Sequence, residues 1–251
     1  MIQPQSKYSD LFSQLEPLLR SDGKLGEFAA AKLKREINKI QDFGERLFLL
    51  ALFYTLQDEE AKAIDTFETL IVEGYDDFVV QMNYVSALEQ LHRPFTALER
   101  AKKYSRQHGG ISWHNKLLDL QIKALDWLGA SETYEYILSQ FDNEDLDLGG
   151  ISLSYFNELS GMFGSDDTIS FEELATAGQL VLNFIESNRV DFKGVLCFKA
   201  ESSSNLSIKY MVKASSYSPS VMEELNSEII DLLIDNDLDT LPVVQQLYRV
   251  N

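Results

Sequence analysis

The sequence predicts a mainly α protein, in which a stack of antiparallel helix pairs is followed by a small α+β unit. Three observations lead to this fold class. Apolar residues between positions 47 and 104 recur at helical spacing and repeat with a period of 34 residues. Short polar turns separate the predicted helices, and strand-like runs appear only after Val190. We therefore expect one domain over 1–145 and a second over 146–251.

Two helices are predicted ahead of the repeat, and as a hairpin they would close the end of the stack. Pro17 should either kink the first helix or end it near Glu16. The second is expected from about Leu25 to Asp42. The apolar stripe of the first helix comprises Tyr8, Leu11, Phe12, Leu15, Leu18 and Leu19. The basic residues expected largely on the outer face of the second are Lys32, Lys34, Arg35 and Lys39.

The repeat itself is visible in seven small or apolar positions of its first unit: Leu47, Leu50, Ala51, Tyr54, Ala63, Phe67 and Leu70. Moving each by 34 residues leads to Gln81, Tyr84, Val85, Leu88, Ala97, Ala101 and Tyr104. Six of these seven are again small or apolar, and alanine permits close helix crossings. Asp58 is expected to cap the second helix of the first unit, and Pro94 to begin that of the second unit.

A third unit is predicted from a match at an offset of 37 residues, which would extend its first helix from about Ser112 to Leu128. The matching positions are Leu125, Leu128, Tyr134, Leu138 and Phe141. Over roughly 45–141 the pattern resembles the tetratricopeptide repeat (TPR) family, whose repeat is 34 residues long. The resemblance is to a degenerate form, since Leu47 and Gln81 stand at the family's first Trp.

The TPR resemblance implies a concave groove, lined by the first helix of each pair, that binds a peptide or helix of another protein. The implied groove positions are Phe48, Leu52, Leu56, Met82, Ser86, Glu89, Lys123 and Trp127. An alternative stays open, in which Phe48 and Leu52 are buried by a neighbouring element. That element would be the N-terminal hairpin or a second copy of the chain.

The C-terminal part is predicted to follow the order α-β-β-α-β. A linker over 142–152 and a short helix with Leu153, Phe156, Leu159 and Phe163 on its buried side precede it. Ser170 and Glu173 form a capping box for a helix from Phe171 to Ser187. A β-hairpin is expected over 192–214, a helix over 219–234 and a last strand over 243–250.

The charge excludes some partners. The chain carries a net charge of −18, with −9 over residues 45–145 and −10 over 146–251. Such a surface repels nucleic acid and anionic lipid, and it suits a basic or amphipathic protein segment. No apolar run approaches the ~20 residues that span a bilayer. With one cysteine and no signal-like N-terminus, we expect a cytoplasmic protein.

No catalytic, metal or cofactor site is predicted. Asp235, Asp237 and Asp239 begin a calcium-loop spacing, but Thr240 occupies the position of the required Gly. The three histidines and Cys197 have no ligand-like spacing.

The leading hypothesis is therefore an interaction scaffold, acting as an adaptor or as a chaperone for one partner, with a homodimer left open. The first alternative is an acidic inhibitor or immunity-type protein that occludes a basic partner. The second is an enzyme with its site in the C-terminal α+β unit.

Overall fold

Helices build most of the chain in the computed structural model, which describes residues 7–21, 25–141, 156–157, 160–161, 170–199, 206–213, 216–238 and 243–250. The helices are α1 (Lys7–Arg20), α2 (Glu27–Ile37), α3 (Phe43–Leu56), α4 (Glu60–Val72), α5 (Phe78–Gln90), α6 (Pro94–Ser105), α7 (Ile111–Lys123), α8 (Trp127–Gln140), α9 (Phe171–Ser187) and α10 (Pro219–Ile234). The strands are β1 (Phe192–Lys199), β2 (Leu206–Lys213) and β3 (Val243–Val250). The predicted fold class is confirmed.

The chain divides into two compact units, Met1–Leu91 and His92–Asn251. The predicted domain division at residue 145 stays a prediction. The expected linker over 142–152 and the helix expected around 153–163 fall almost wholly outside the described residues.

Unit 1 is built around a row of aromatic rings that crosses four helices. Tyr8 and Phe12 of α1 stack at 6.2 Å, and Phe12 stacks on Phe48 of α3 at 6.2 Å. Phe48 meets the edge of Phe67 on α4 at 6.5 Å, and Phe67 stacks on Tyr84 of α5 at 4.9 Å. Such pairs contribute about 0.5–1.5 kcal/mol each beyond the area they bury. The row therefore fastens α1, α3, α4 and α5 into one core.

The N-terminal hairpin forms with one difference from the prediction. Of the two alternatives at Pro17, an end near Glu16 is excluded, because α1 continues through Pro17 to Arg20. Helix α2 ends at Ile37, five residues before the predicted Asp42. It ends early because the guanidinium of Arg46 donates to the carbonyls of Ile40 (2.9 Å) and Gln41 (3.5 Å), which lie in the connection to α3.

The same turn follows the first helix of all three repeat pairs. Asp58, His92 and Leu125 adopt left-handed φ values of 57°, 60° and 56°, and three residues separate the flanking helices in each case. After α3 this is a Schellman-type ending, in which the Glu59 amide donates to the Tyr54 carbonyl at 2.9 Å. Asp58 therefore belongs to the turn that ends α3. The N-cap of α4 is Glu59, and not Asp58 as predicted.

These turns also correct the third unit. Helix α7 ends at Lys123 and α8 begins at Trp127, so the predicted helix from Ser112 to Leu128 is wrong. The turn residues lie 34 and then 33 positions apart, not 37. An offset of 33 aligns Ala130 with Ala97, and both are fully buried, as are Ala51, Ala63 and Ala101. A helical repeat is therefore present, with its third unit four residues closer to the second than the sequence suggested.

In unit 2, α9 packs on α6 and α8. At Gly178, α9 also lies close to the α7–α8 turn. An added Cβ there would be 1.8 Å from the Ala124 carbonyl oxygen. The predicted start of α9 is confirmed, since the Glu173 amide donates to Ser170 Oγ at 3.3 Å.

The C-terminal strands form a mixed sheet in the order β1-β2-β3. β1 pairs antiparallel with β2, with an irregularity between Phe192 and Gly194, and β3 pairs parallel with β2. Helix α10 makes the crossover, and the Asn226 amide both accepts from the Leu247 amide at 2.7 Å and donates to its carbonyl at 3.4 Å. The predicted hairpin, helix and last strand are all present, while the connection over 200–205 lies outside the described residues.

Candidate functional site

The groove positions predicted on α3 are buried. Phe48, Leu52 and Leu56 are 2–7% exposed, and Phe48 lies between Phe12 of α1 and Phe67 of α4. This is the arrangement that the sequence left open as an alternative, with the N-terminal hairpin covering the face. All three side chains are buried, and a partner could reach Phe48 only by displacing α1.

The remaining groove positions are more varied. Met82, Ser86 and Glu89 share one side of α5 and are half-buried. Lys123 and Trp127 belong to unit 2. Lys123 Nζ pairs with Asp119 at 2.6 Å, and the buried Trp127 ring stacks on Phe156 at 4.7 Å. The role of all eight positions in partner binding stays a prediction.

An exposed apolar surface lies elsewhere in unit 1, where α3 and α5 begin and α4 ends. Its five large side chains, Phe43, Val72, Tyr75, Phe78 and Val79, are 39–82% exposed. We call them, together with the surrounding carboxylates of Asp42, Glu45, Glu73, Asp76 and Asp77, the end patch. All ten residues are exposed in the structure. Apolar side chains concentrated on a surface in this way mark interaction sites more often than scattered ones do.

Local chain geometry produces this surface. Gly74, at φ 85°, ends α4, and the Tyr75 amide donates to the Leu70 carbonyl at 2.9 Å. The Tyr75 ring then lies against Gly44, where an added Cβ would meet the ring at 2.3 Å. Tyr75 also contacts Phe43, with ring centroids 6.1 Å apart. Gly44 is therefore the residue that lets the α4–α5 connection close over the start of α3.

Carboxylates dominate the electrostatics of the end patch. Asp42 caps α3 through the Glu45 amide (2.8 Å), and Asp77 caps α5 through the Val80 amide (2.9 Å). Burial, followed by the negative charges of Glu45 and Asp77, raises the pKa of the nearby Tyr8 hydroxyl above its ordinary value. Residues 45–91 carry 10 acidic and only 2 basic side chains, so little positive charge offsets the patch.

The two basic residues of that segment are engaged within the chain. Arg46 lies over the Phe43 ring at 5.6 Å while it donates to the carbonyls that follow α2. Lys62 pairs with Glu59 at the start of α4. The surface therefore presents apolar side chains within a negative rim, and it suits a ligand that carries apolar and basic groups together.

A cluster of polar side chains in unit 2 joins α9 to the start of α6. The buried Glu186 carboxylate accepts from the Thr96 amide (2.9 Å), from the Thr96 hydroxyl (2.6 Å) and from Arg93 Nη1 (3.2 Å). It thereby caps the first turn of α6 from α9. Asp191 pairs with Lys193 at 3.0 Å, and its Oδ1 lies 3.9 Å from His92 Nδ1, too far for a hydrogen bond. Through Glu186 this cluster joins α9 to the start of α6.

Within the described parts of the chain, no group of three or more His, Cys, Asp and Glu is placed to hold a metal ion. Among the described helices, none combines the length and the apolar character that crossing a membrane requires. No protein-family model matches the chain, and neither a curated protein nor a solved structure matches it significantly.

Sequence reasoning missed the end patch, although a pattern for it was present. Residues 72–79 alternate large apolar residues with Glu73, Asp76 and Asp77 in a connection between two helices. Connections between helices usually run over the surface, so aromatic residues in this one are candidates for an exposed site. The TPR resemblance points instead to the first helix of each pair.

Proposed function

We propose that this protein is a TPR-like interaction scaffold that holds a basic, amphipathic segment of another protein on the end patch. The observation that carries the proposal is the concentration of five exposed apolar side chains within a rim of five carboxylates. The helical repeat supports it, because stacked helix pairs present rigid surfaces to partners. A single cysteine fits an adaptor or partner-specific chaperone of the cytoplasm.

The chemistry of the partner follows from that of the surface. Val72, Tyr75 and Phe78 offer apolar and aromatic contacts, which supply most of the affinity at interfaces. The carboxylates select against acidic segments and raise the rate of encounter with basic ones. A helix with apolar residues on one side and Lys or Arg beside them meets both requirements.

The acidic character of residues 45–91 also favours a second candidate, an inhibitor that covers the basic surface of its target. The two functions differ in their salt dependence. An adaptor held by apolar contacts retains its partner when charges are screened, whereas an inhibitor held by charge releases its target.

Affinity capture with the full chain as bait tests the proposal. Captures washed at low and at high salt are compared between the wild type and the variants Val72→Glu and Val79→Glu, both at exposed positions. The matched control is Ile230→Glu, an equally exposed apolar position on α10 in unit 2. We expect one stoichiometric partner to survive high salt and to be lost on the two end-patch variants but not on the control.

Other outcomes have definite meanings. Loss of the partner on Met82→Glu with full retention on Val72→Glu would place binding in the predicted groove and reject the end patch. Loss of every captured protein at high salt would favour the inhibitor. Leu52→Glu does not serve here, because a buried charge at that position would unfold α3.

A further inference from the structure

A groove about 450 Å³ in volume separates α1 from α2 in unit 1. Its apolar lining comes from both helices and from Leu25, two residues before α2: Leu11, Leu18, Leu25, Ala29 and Leu33. Leu11 and Leu33 form a buried floor, whereas Ala29 is exposed at the wall. The groove is therefore an open apolar recess on the surface, separate from the end patch.

Phe28 stands immediately beside this groove. It is 86% exposed, the most exposed of the large apolar side chains among the described residues. It directly precedes Ala29 and lies about one helical turn before Lys32 on α2, and both of these residues line the groove. An apolar side chain and an apolar recess thus occur on the same face of the molecule.

The charges of this face distinguish it from the rest of the chain. Residues 1–44 carry 7 basic and 6 acidic side chains, whereas residues 45–251 carry 15 and 34. The groove has a base and an acid on each wall: Lys7 and Asp10 on α1, and Lys32 and Glu36 on α2. Of these, Lys7 and Glu36 pair with each other at 2.9 Å. Two molecules with a net charge of −18 repel each other through most of their surface. Through this near-neutral, mixed-charge face they can meet without that repulsion.

We infer that this face is the interface of a homodimer, in which Phe28 of each copy inserts into the α1–α2 groove of the other. A two-fold axis brings the same patch together from both copies, so it requires a surface that is complementary to itself. A protruding ring beside a recess, with both signs of charge around it, satisfies that condition. Residues 1–44 carry a net charge of +1 and offer a basic partner no attraction, so a second copy of the chain is the occupant that we propose.

Sedimentation velocity of the full chain over a range of micromolar concentrations tests the inference. The wild type is expected to dimerise, and Phe28→Glu is expected to raise the dimer dissociation constant by at least about a hundredfold. That factor corresponds to the loss of two central contacts of at least about 1.4 kcal/mol each. Val72→Glu, which changes an almost equally exposed apolar residue of the end patch, should leave the dimer intact.

A complementation experiment distinguishes insertion into the groove from a general loss of apolar surface. Phe28→Glu removes the inserted ring but keeps the groove, whereas Ala29→Trp fills the groove but keeps the ring. Each variant alone should be monomeric, with a circular dichroism spectrum like that of the wild type. An equimolar mixture should form a heterodimer, because one of the two contacts is restored. A monomeric wild type, equal weakening by Val72→Glu, or a mixture that stays monomeric would each overturn the inference.

Discussion

At the scale of single residues, glycines at two close contacts determine how helices approach. Gly178 lets α9 touch the α7–α8 turn, and Gly44 lets Tyr75 lie on α3. In both places any larger residue meets an atom of another element. The difference is in what must move: at Gly44 the neighbour is a partly exposed ring, whereas at Gly178 it is a backbone carbonyl.

We expect Gly178→Ala to lower the free energy of unfolding of unit 2 by about 3 kcal/mol, because a backbone carbonyl 1.8 Å away cannot rotate out of reach of the new methyl group. Urea-induced unfolding followed by circular dichroism measures the change. Gly109→Ala is the matched control, since no atom lies within 4 Å of its added Cβ. Equal stability of the two variants would show that α9 does not pack as described.

At the scale of elements, a single carboxylate joins α9 to the start of α6. Glu186→Ala is expected to lower the free energy of unfolding by about 1–3 kcal/mol, because it leaves two half-buried donors of Thr96 without their acceptor. Glu186→Gln keeps an acceptor oxygen and should lower it by less. Denaturant unfolding measures both, with exposed Glu172→Ala as the control. The same loss for Gln as for Ala would contradict this role.

The α1–α2 pair contains a contact that depends on pH. Hydrogen bonds from Lys39 and Lys7 lower the pKa of Glu36 to about 2 from its ordinary value of 4.5. Because the pKa is lower in the folded state, the contact stabilises the fold above pH 4.5, and this contribution is lost as the pH falls towards 2. Its size is small, since the side chains are partly exposed.

A carboxyl titration by NMR should therefore give Glu36 a midpoint well below 4.5. Lys7→Met should raise that midpoint, because it removes the donor on α1 and leaves only Lys39, which follows α2. An unchanged midpoint in the variant would mean that α1 and α2 are not joined by this pair in solution.

The sequence predicted most elements, and the physical reasons for its errors are local. Helices α9 and α10 and strand β3 have the predicted bounds, because a capping residue or a strand period marks each. The predicted position of the third repeat pair is wrong because Leu125 takes a left-handed backbone conformation. Gly or Asn usually occupies such a position, so the end of α7 is not visible in the sequence. The end of α2 depends on Arg46, six residues from the carbonyl it binds, and periodicity does not report such a contact.

At the scale of the whole molecule, net charge should affect stability. We expect the midpoint of thermal unfolding to rise by a few degrees as the salt concentration increases from about 0.01 M to 0.15 M, where the screening length falls from about 30 Å to 8 Å. Screening weakens the repulsion among the carboxylates of a chain with a net charge of −18. Near the isoelectric point of about 4.5 the effect should disappear. A midpoint that falls with salt at neutral pH would show that attractive pairs outweigh the repulsion.

Sequence alone could not identify the candidate site, because an apolar helical position looks the same in a core and in a groove. Phe48 and Leu52 fit the pattern of a binding surface, but both are buried, and Phe48 packs against Phe12 of α1. The end patch depends on two connections, α2–α3 and α4–α5, that meet at one end of the helices, and no single stretch of sequence reveals this. The net charge reports its acidic residues but not their place in the fold.

The contact between Thr96 and Glu186 also affects how the chain can fold while it is being made. Ninety residues separate the two partners. The ribosome adds about 5–20 residues per second, so α6 emerges roughly 5–18 seconds before its cap exists. The aromatic row of unit 1 is complete in the nascent chain once Tyr84 has emerged. Unit 1 can thus reach its native packing during synthesis, while the amide and hydroxyl of Thr96 remain in water until α9 arrives.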